Sequence, residues 1–295
     1  MLKRGLRLKT RRLTPANLLA ALDAARHDDV LLVDWVHRGP VTANWGDAVA
    51  PVIAHRLSGK RVVNRRDVLN LAGKPVYTTI GSMLGTIDTP KAVVWGSGFV
   101  ETAASLQTRP AQICAVRGPL SRQKLLDEGV DCPELFGDPA LLAPLWWEPA
   151  ATKTHRLGII PHFRDTHLPT AQRFAQFDGV RVIDIRAGLD EVVQQVTECE
   201  AIASGSLHGL VLADAYDIPT TWIQFSDAAY GGGFKFRDYL ESAGGRSLEP
   251  LEVGPATTVE QIEDLFREPR MDVDRRAFVE ACPFLDPTLL PELPW

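Results

Sequence analysis

Two hydrophobic patterns alternate along this chain. Short apolar runs rich in β-branched residues, bounded by Gly, Pro or Asn, read as strands buried on both faces. Longer stretches with apolar positions three and four apart read as helices. In the first half, strands are expected at 30–36, Arg61–Asn64, 76–80, Ala92–Trp95 and 113–116. Helices are expected from Thr14-Pro15 to Arg26, over 46–57 and over 119–128, the last closed by Gly129. The second half restarts the pattern, with strands at 157–160, 180–185, 201–203 and Thr220–Gln224. Its helices are expected at 170–177, Leu189–Thr197, 207–216 and 236–243, with terminal helices at 259–266 and 275–281, one of which crosses back to the first half. Residues 144–153 change character, with Pro144, Trp146, Trp147 and Pro149 followed by small residues, and read as a linker. The expectation is an α/β protein of two domains, 1–146 and 147–295, each an open parallel sheet. The two face a cleft that takes ligand at the carboxyl ends of the strands.

Composition narrows the class. The chain has 295 residues, 45% hydrophobic and 23% charged, which excludes a mainly disordered protein and allows a core without disulfide or metal staples. Thirty-two basic against 37 acidic residues give a net charge of −5, so no global pull toward nucleic acid exists. No apolar run approaches the ~18–20 residues of a membrane span. The N-terminus carries Lys3, Arg4, Arg7, Lys9, Arg11 and Arg12, but Asp23 and Arg26 interrupt the apolar stretch that a signal peptide needs. A cytoplasmic protein is expected. The basic arm is by default a solvated tail, and peripheral contact with the inner face of a membrane is the alternative. Cys114, Cys132, Cys199 and Cys282 form no CxxC pair, so buried free thiols are expected, and no metal cluster is visible.

Chemistry is sought where strands run into helices. Asn44-Trp45-Gly46-Asp47 opens a helix whose free N–H groups suit an anion, though a turn with a cap reads equally well. Gly96-Ser97-Gly98 follows a strand but fits neither GxGxxG nor a P-loop. Arg117 stands at a strand end, where its fork suits a carboxylate or phosphate. Ser204-Gly205-Ser206-Leu207-His208-Gly209 is the most informative stretch. Small residues and hydroxyls at a helix start suit phosphate, and His208 in the first turn can move a proton. Lys235 and Arg237 follow Gly231-Gly232-Gly233, a loop able to close over an anion. No GxSxG elbow supports a hydrolase, and His162 and His167 do not form a zinc motif.

Taken in order, several of these stretches resemble the polysaccharide pyruvyltransferase family. The pieces are Asn44-Trp45-Gly46-Asp47, Val94-Trp95-Gly96-Ser97-Gly98, Ala115-Val116-Arg117-Gly118-Pro119-Leu120-Ser121, Gly137-Asp138-Pro139-Ala140-Leu141-Leu142, Leu157-Gly158-Ile159-Ile160-Pro161-His162, Ser204 to Gly209, and Phe234-Lys235. The resemblance implies two Rossmann-like domains similar to a type B glycosyltransferase. It implies transfer of pyruvate from phosphoenolpyruvate to a sugar of a bacterial polysaccharide or glycan precursor, lipid-linked or polymeric, as a ketal with release of phosphate. No cofactor beyond the co-substrate phosphoenolpyruvate is implied. By this resemblance His208 and Arg117 are the catalytic pair. Arg117, Ser204, Gly205, Ser206, His208, Gly209 and Lys235 are then expected to bind the donor; Asn44 and Asp47, in the other domain, and His162 are expected to take the acceptor. Many relatives carry arginine where this chain has Ser206, so Ser206, backbone N–H groups or Arg237 would have to substitute. A nucleotide-sugar glycosyltransferase of the same architecture, or a non-catalytic glycan-binding relative, are the alternatives.

Overall fold

The computed structural model describes residues 19, 22–24, 26–36, 44–149, 152–227, 231–244, 247–266 and 272–292. The basic arm, and most of the helix expected from Thr14-Pro15, lie outside the described residues.

Each half builds a parallel five-stranded sheet. The first holds β1 (Val30–Asp34), β2 (Arg61–Asn64), β3 (Val76–Thr78), β4 (Ala92–Trp95) and β5 (Gln112–Ala115), in the order β2-β1-β3-β4-β5. The second holds β6 (His155–Ile160), β7 (Val180–Val182), β8 (Cys199–Ser204), β9 (Thr220–Gln224) and β10 (Leu251–Glu252), in the order β10-β9-β8-β6-β7. Counted within its own half, the second sheet repeats the order of the first, 2-1-3-4-5, read from the other edge. In that order the chain reverses its winding direction between the first and third strands, and the loops leaving them splay apart. One such point lies beyond β1 and β3, the other beyond β6 and β8.

The helices are α1 (Trp45–Ser58), α2 (Pro119–Asp127), α3 (Pro169–Gln172), α4 (Leu189–Thr197), α5 (Leu207–Ala215), α6 (Phe234–Ala243), α7 (Val259–Glu263) and α8 (Arg275–Glu280). All nine residues of α5 are buried, as expected of a helix apolar all round that sits between layers. A 3-10 helix, Pro139–Leu145, packs on α1 and α5. It occupies the start of the expected linker, and Trp147 beyond it is anchored: its Nε1 donates to Asp190 and its carbonyl accepts from the Tyr216 hydroxyl. The helix expected at 170–177 is a single α turn that tightens to 3-10 over Arg173–Gln176, with Phe174 buried.

The two halves share a core. One apolar cluster runs from Val33, Trp45 and Ile53 through Leu141 and Leu142 to Val193, Leu210 and Phe236. Trp45 ties α1 to the second half twice, its backbone N–H donating to Ile185 (3.0 Å) and its indole to Leu189 (3.1 Å). The C-terminal segment does cross back. Phe278 of α8 stacks on Trp95 at 4.5 Å, and the Trp95 indole donates to the Phe278 carbonyl. Among the described residues no helix is long and apolar enough to cross a membrane.

Candidate functional site

The loops beyond both switch points meet in one pocket of about 360 Å³. Val36, Asn44 and Asp47 come from beyond β1, and Gly81, Ser82 and Met83 from beyond β3. His162, Phe163 and Arg164 come from beyond β6, Ser206, Leu207 and His208 from beyond β8, and Lys235 from α6. Asp47, His208 and Lys235 each sit in the first turn of their helix, so three helix N-termini bring partial positive charge to one place. A larger hollow of about 700 Å³ beside Leu141, Pro144 and Tyr216 contains none of these groups.

His208 is the centre of the arrangement and is 7% exposed. Its ring lies on the backbone of Gly46, where a β-carbon would fall 1.9 Å from Nδ1. Only a glycine at the start of α1 lets the imidazole in. On its other side Nε2 faces Asp138 Oδ2 at 3.8 Å. Among the described residues both atoms are buried without a hydrogen-bond partner. Asp138 spends its other oxygen on the Ala140 N–H, capping the 3-10 helix. Burial, with the charges of Lys235 and Arg117 added, pushes the imidazole down to about 3, so it is neutral near pH 7. Burial pushes Asp138 up to about 6, which leaves it mostly ionised there. A neutral imidazole backed by a carboxylate is built to accept a proton.

The remaining groups follow the same logic. Burial raises Asp47 to about 7 against the pull of Lys235. Burial and the Arg117 charge lower Lys235 to about 8, while Asp47 holds it up. His162, 7% exposed with its Nδ1 unpartnered, is pushed down to about 4 by burial and by Lys235 and Arg164. Among the described residues the lining is thus cationic, with its one carboxylate, Asp47, half neutralised at pH 7.

Asn44, Asp47, His162, Ser206, His208 and Lys235 all line this pocket. Lys235 belongs to α6 itself rather than to the glycine loop before it, because α6 begins at Phe234. Ser204, Gly205 and Gly209 lie behind the surface. The Ser204 hydroxyl donates to the Ser206 carbonyl and accepts from the Ser206 N–H, and Gly209 leaves room for it. They shape the β8–α5 turn.

Arg117 departs most from its expected place. It is 0% exposed, and its fork is fully engaged: Nε on Asp238 (3.0 Å), Nη1 on Ser82 (2.8 Å) and Nη2 on the Phe99 carbonyl (2.6 Å). Asp238 also accepts from the N–H and hydroxyl of Ser121. A free fork for a ligand is therefore replaced by a buried ion pair that fastens α6 to the first half. Arg117 touches the pocket only through Ser82 and through its charge. Arg237 also faces elsewhere, bonded to Glu249 and the Gly232 carbonyl beside Trp222. Sequence reasoning passed over Arg164, which lines the pocket; it noted Gly81-Ser82 only as a loop after a strand that reads more readily as a tight turn, and left Asp138 between a cap and a site role. Arg164 sits in an irregular loop where no periodicity marks it. Asp138 pairs with a histidine distant in the chain, which spacing cannot reveal. Among the described residues no three His, Cys, Asp or Glu side chains gather as for a metal ion.

Known proteins bear on this geometry. Succinoglycan biosynthesis protein ExoV of Rhizobium meliloti (strain 1021) is 30% identical over 188 residues, 61% of this chain and 57% of that protein. The chain thus spans little more than half of that relative's length. The uncharacterized protein L143 of Acanthamoeba polyphaga mimivirus is 26% identical over 217 residues, 71% of this chain and 74% of that one. The pattern of the polysaccharide pyruvyl transferase family matches residues 64–227, from the end of β2 to beyond β9 and so across both sheets. On that match, the chain belongs to the polysaccharide pyruvyl transferase family.

Proposed function

We propose that this protein transfers pyruvate from phosphoenolpyruvate to two hydroxyls of a sugar in a polysaccharide or glycan precursor, with release of phosphate. What carries the reading is the gathering, at paired strand-order switch points, of the cations Lys235 and Arg164 with a neutral histidine that has no partner at Nε2 among the described residues, in a chain of this family. The repeated strand order also supports the expectation of two Rossmann-like units around a cleft, as in type B glycosyltransferases.

The chemistry divides into two additions. In the first, a sugar hydroxyl oxygen bonds to the central carbon of the donor, and its double bond takes a proton at the methylene end to become a methyl. In the second, another hydroxyl displaces phosphate from that carbon and closes the ketal. In this reading His208 takes the hydroxyl proton, and the Asp138 carboxylate stabilises the imidazolium that results. A histidine held near 3 carries no proton to give in the free protein, so the methylene proton is assigned to Asp47, whose carboxyl is raised to about 7. In the second addition the Asp47 carboxylate so formed takes the proton of the second hydroxyl, and the His208 imidazolium gives its proton to the departing phosphate, which returns both groups to their starting states. Asp47 lies with Asn44 on the acceptor side. Lys235 and the helix N-termini take the donor's negative charge. The acceptor, lipid-linked or polymeric, reaches the pocket from solvent.

The test is thermal shift followed by turnover. A ligand at a hundredfold excess over Kd stabilises the folded state by about 2.7 kcal/mol, a rise of roughly 5 °C or more. Phosphoenolpyruvate is expected to give that rise and a nucleotide diphosphate none, with phosphate released once an acceptor glycan is added. A shift with the nucleotide alone would replace this reading by a nucleotide-sugar glycosyltransferase. Binding of glycan without donor-dependent phosphate release would make the chain a non-catalytic relative.

A further inference from the structure

The charges around the pocket do not balance for a donor carrying both a carboxylate and a phosphate. Arg117 is neutralised by Asp238 and fully hydrogen-bonded. Lys235 is compensated in part by Asp47. The histidines are neutral. Arg164 is the remaining cation on the lining. It follows β6 at the second switch point, is exposed, and rests its guanidinium 5.5 Å from the centre of the Phe163 ring. Among the described residues no carboxylate pairs with it. Its charge is nonetheless felt within the pocket, since it depresses both His162 and Lys235.

We propose that Arg164 is the phosphate-gripping residue of the donor site, an outer clamp that Lys235 completes from inside. The inference rests on the pyruvyl-transfer reading for the identity of the donor, but not for the clamp itself. The division of labour follows from the reaction. The carboxylate stays with the product and belongs at the buried end beside His208. The phosphate must leave, and an exposed side chain on an irregular loop can hold it and let it go. A guanidinium presents two parallel N–H donors to phosphate oxygens, a geometry an ammonium lacks. The Phe163 face supports the flat group without competing for its donors.

The experiment is isothermal titration of the full chain with phosphoenolpyruvate, inorganic phosphate and pyruvate, for the native protein, Arg164→Ala and Arg164→Lys. Arg164 is exposed, so both variants should melt within a degree or two of the native protein, which separates binding from folding. A charged hydrogen bond lost at one site weakens binding about tenfold to a hundredfold. Arg164→Ala is expected to lose that much affinity for phosphoenolpyruvate and for phosphate but little for pyruvate, with Arg164→Lys in between. Unchanged phosphoenolpyruvate affinity in Arg164→Ala would overturn the clamp and leave pyruvyl transfer standing. Weakened phosphoenolpyruvate with unchanged phosphate would overturn the assignment to the phosphate end. Arg164-dependent binding of phosphate without any binding of phosphoenolpyruvate would keep the clamp and overturn the donor. A native protein that binds none of the three would overturn both.

Discussion

Gly46→Ala separates the catalytic arrangement from the fold better than removal of any polar residue. Gly46 is not in the left-handed region, so alanine fits its backbone, and alanine raises helix propensity by at most about 1 kcal/mol. The added methyl, however, lands 1.9 Å from His208 Nδ1, 2.1 Å from Cε1 and 2.3 Å from Cγ. A comfortable contact is about 3.5 Å, so the ring must retreat by roughly 1.5 Å, or α1 must. The ring is the softer of the two, because α1 is pinned to the second half by both Trp45 hydrogen bonds. Overpacking of this kind costs about 1–3 kcal/mol, a melting shift of several degrees at most. A misplacement near 1 Å at a reacting centre costs on the order of 100-fold in rate. Gly46→Ala is therefore expected to stay folded by circular dichroism, to bind phosphoenolpyruvate within a fewfold of native, and to lose kcat about 100-fold in a phosphate-release assay. A folded Gly46→Ala protein with kcat within threefold of native would refute the placement of His208 at the chemistry.

Three other predictions follow from the same groups. Arg117→Met strands Asp238 as a buried unpaired charge, which costs about 3–5 kcal/mol and should lower the melting point by roughly 6–20 °C; an unchanged melting point with lost donor binding would restore Arg117 as a direct ligand. The pH profile of kcat/KM should be bell-shaped, rising as Asp138 ionises through about 6 and falling as Asp47, the proton donor, ionises through about 7, with loss of the Lys235 proton through about 8 steepening the fall. Asp138→Asn should flatten the acid limb beyond the part due to the donor's own phosphate, and Lys235→Arg should remove the steepening; an alkaline limb near 8 that Lys235→Arg moves upward would take the methylene proton away from Asp47. Asp47 has a folded pKa raised above its unfolded value, so its contribution to stability is full below about 3.8 and is lost as pH rises through about 7. Asp47→Asn should therefore gain on the native protein in melting temperature from pH 4 to pH 7 and level off above, and a constant difference across that range would contradict the burial of the carboxyl.

The fold was largely written in the apolar pattern, because strands buried on both faces leave continuous runs that little else produces. Arg61–Asn64, Ala92–Trp95, Leu189–Thr197 and Thr220–Gln224 were legible to the residue. The two-residue β10 was not, since Leu251-Glu252 carries no period and becomes a strand only by pairing with β9. The site was legible where a residue sits at a strand–helix junction, as with Asp47, Ser206 and His208. It was illegible where a role depends on the partner. Arg117 occupies such a junction yet does not line the pocket, because Asp238, 121 residues on in the chain, holds its fork. Arg164 occupies no junction signal and lines the pocket.

The electrostatics of the pocket explain why neutral groups dominate it. Burial, and after it the charges of Lys235, Arg164 and the nearby Arg117, holds both histidines neutral and brings Lys235 down to about 8. In the proposed reaction an anionic donor would offset the repulsion among these charges. It favours the protonated form of Lys235 and of His208 alike, so His208 becomes a stronger base at the moment a sugar hydroxyl must be deprotonated beside it. The Asp138 carboxylate, aimed at Nε2 but not yet bonded to it, waits for that proton. On this account the orphaned pair is not a packing defect. On the proposed reaction it is an interaction that forms when the donor is bound, which accounts for two of the buried polar atoms that lack a partner among the described residues.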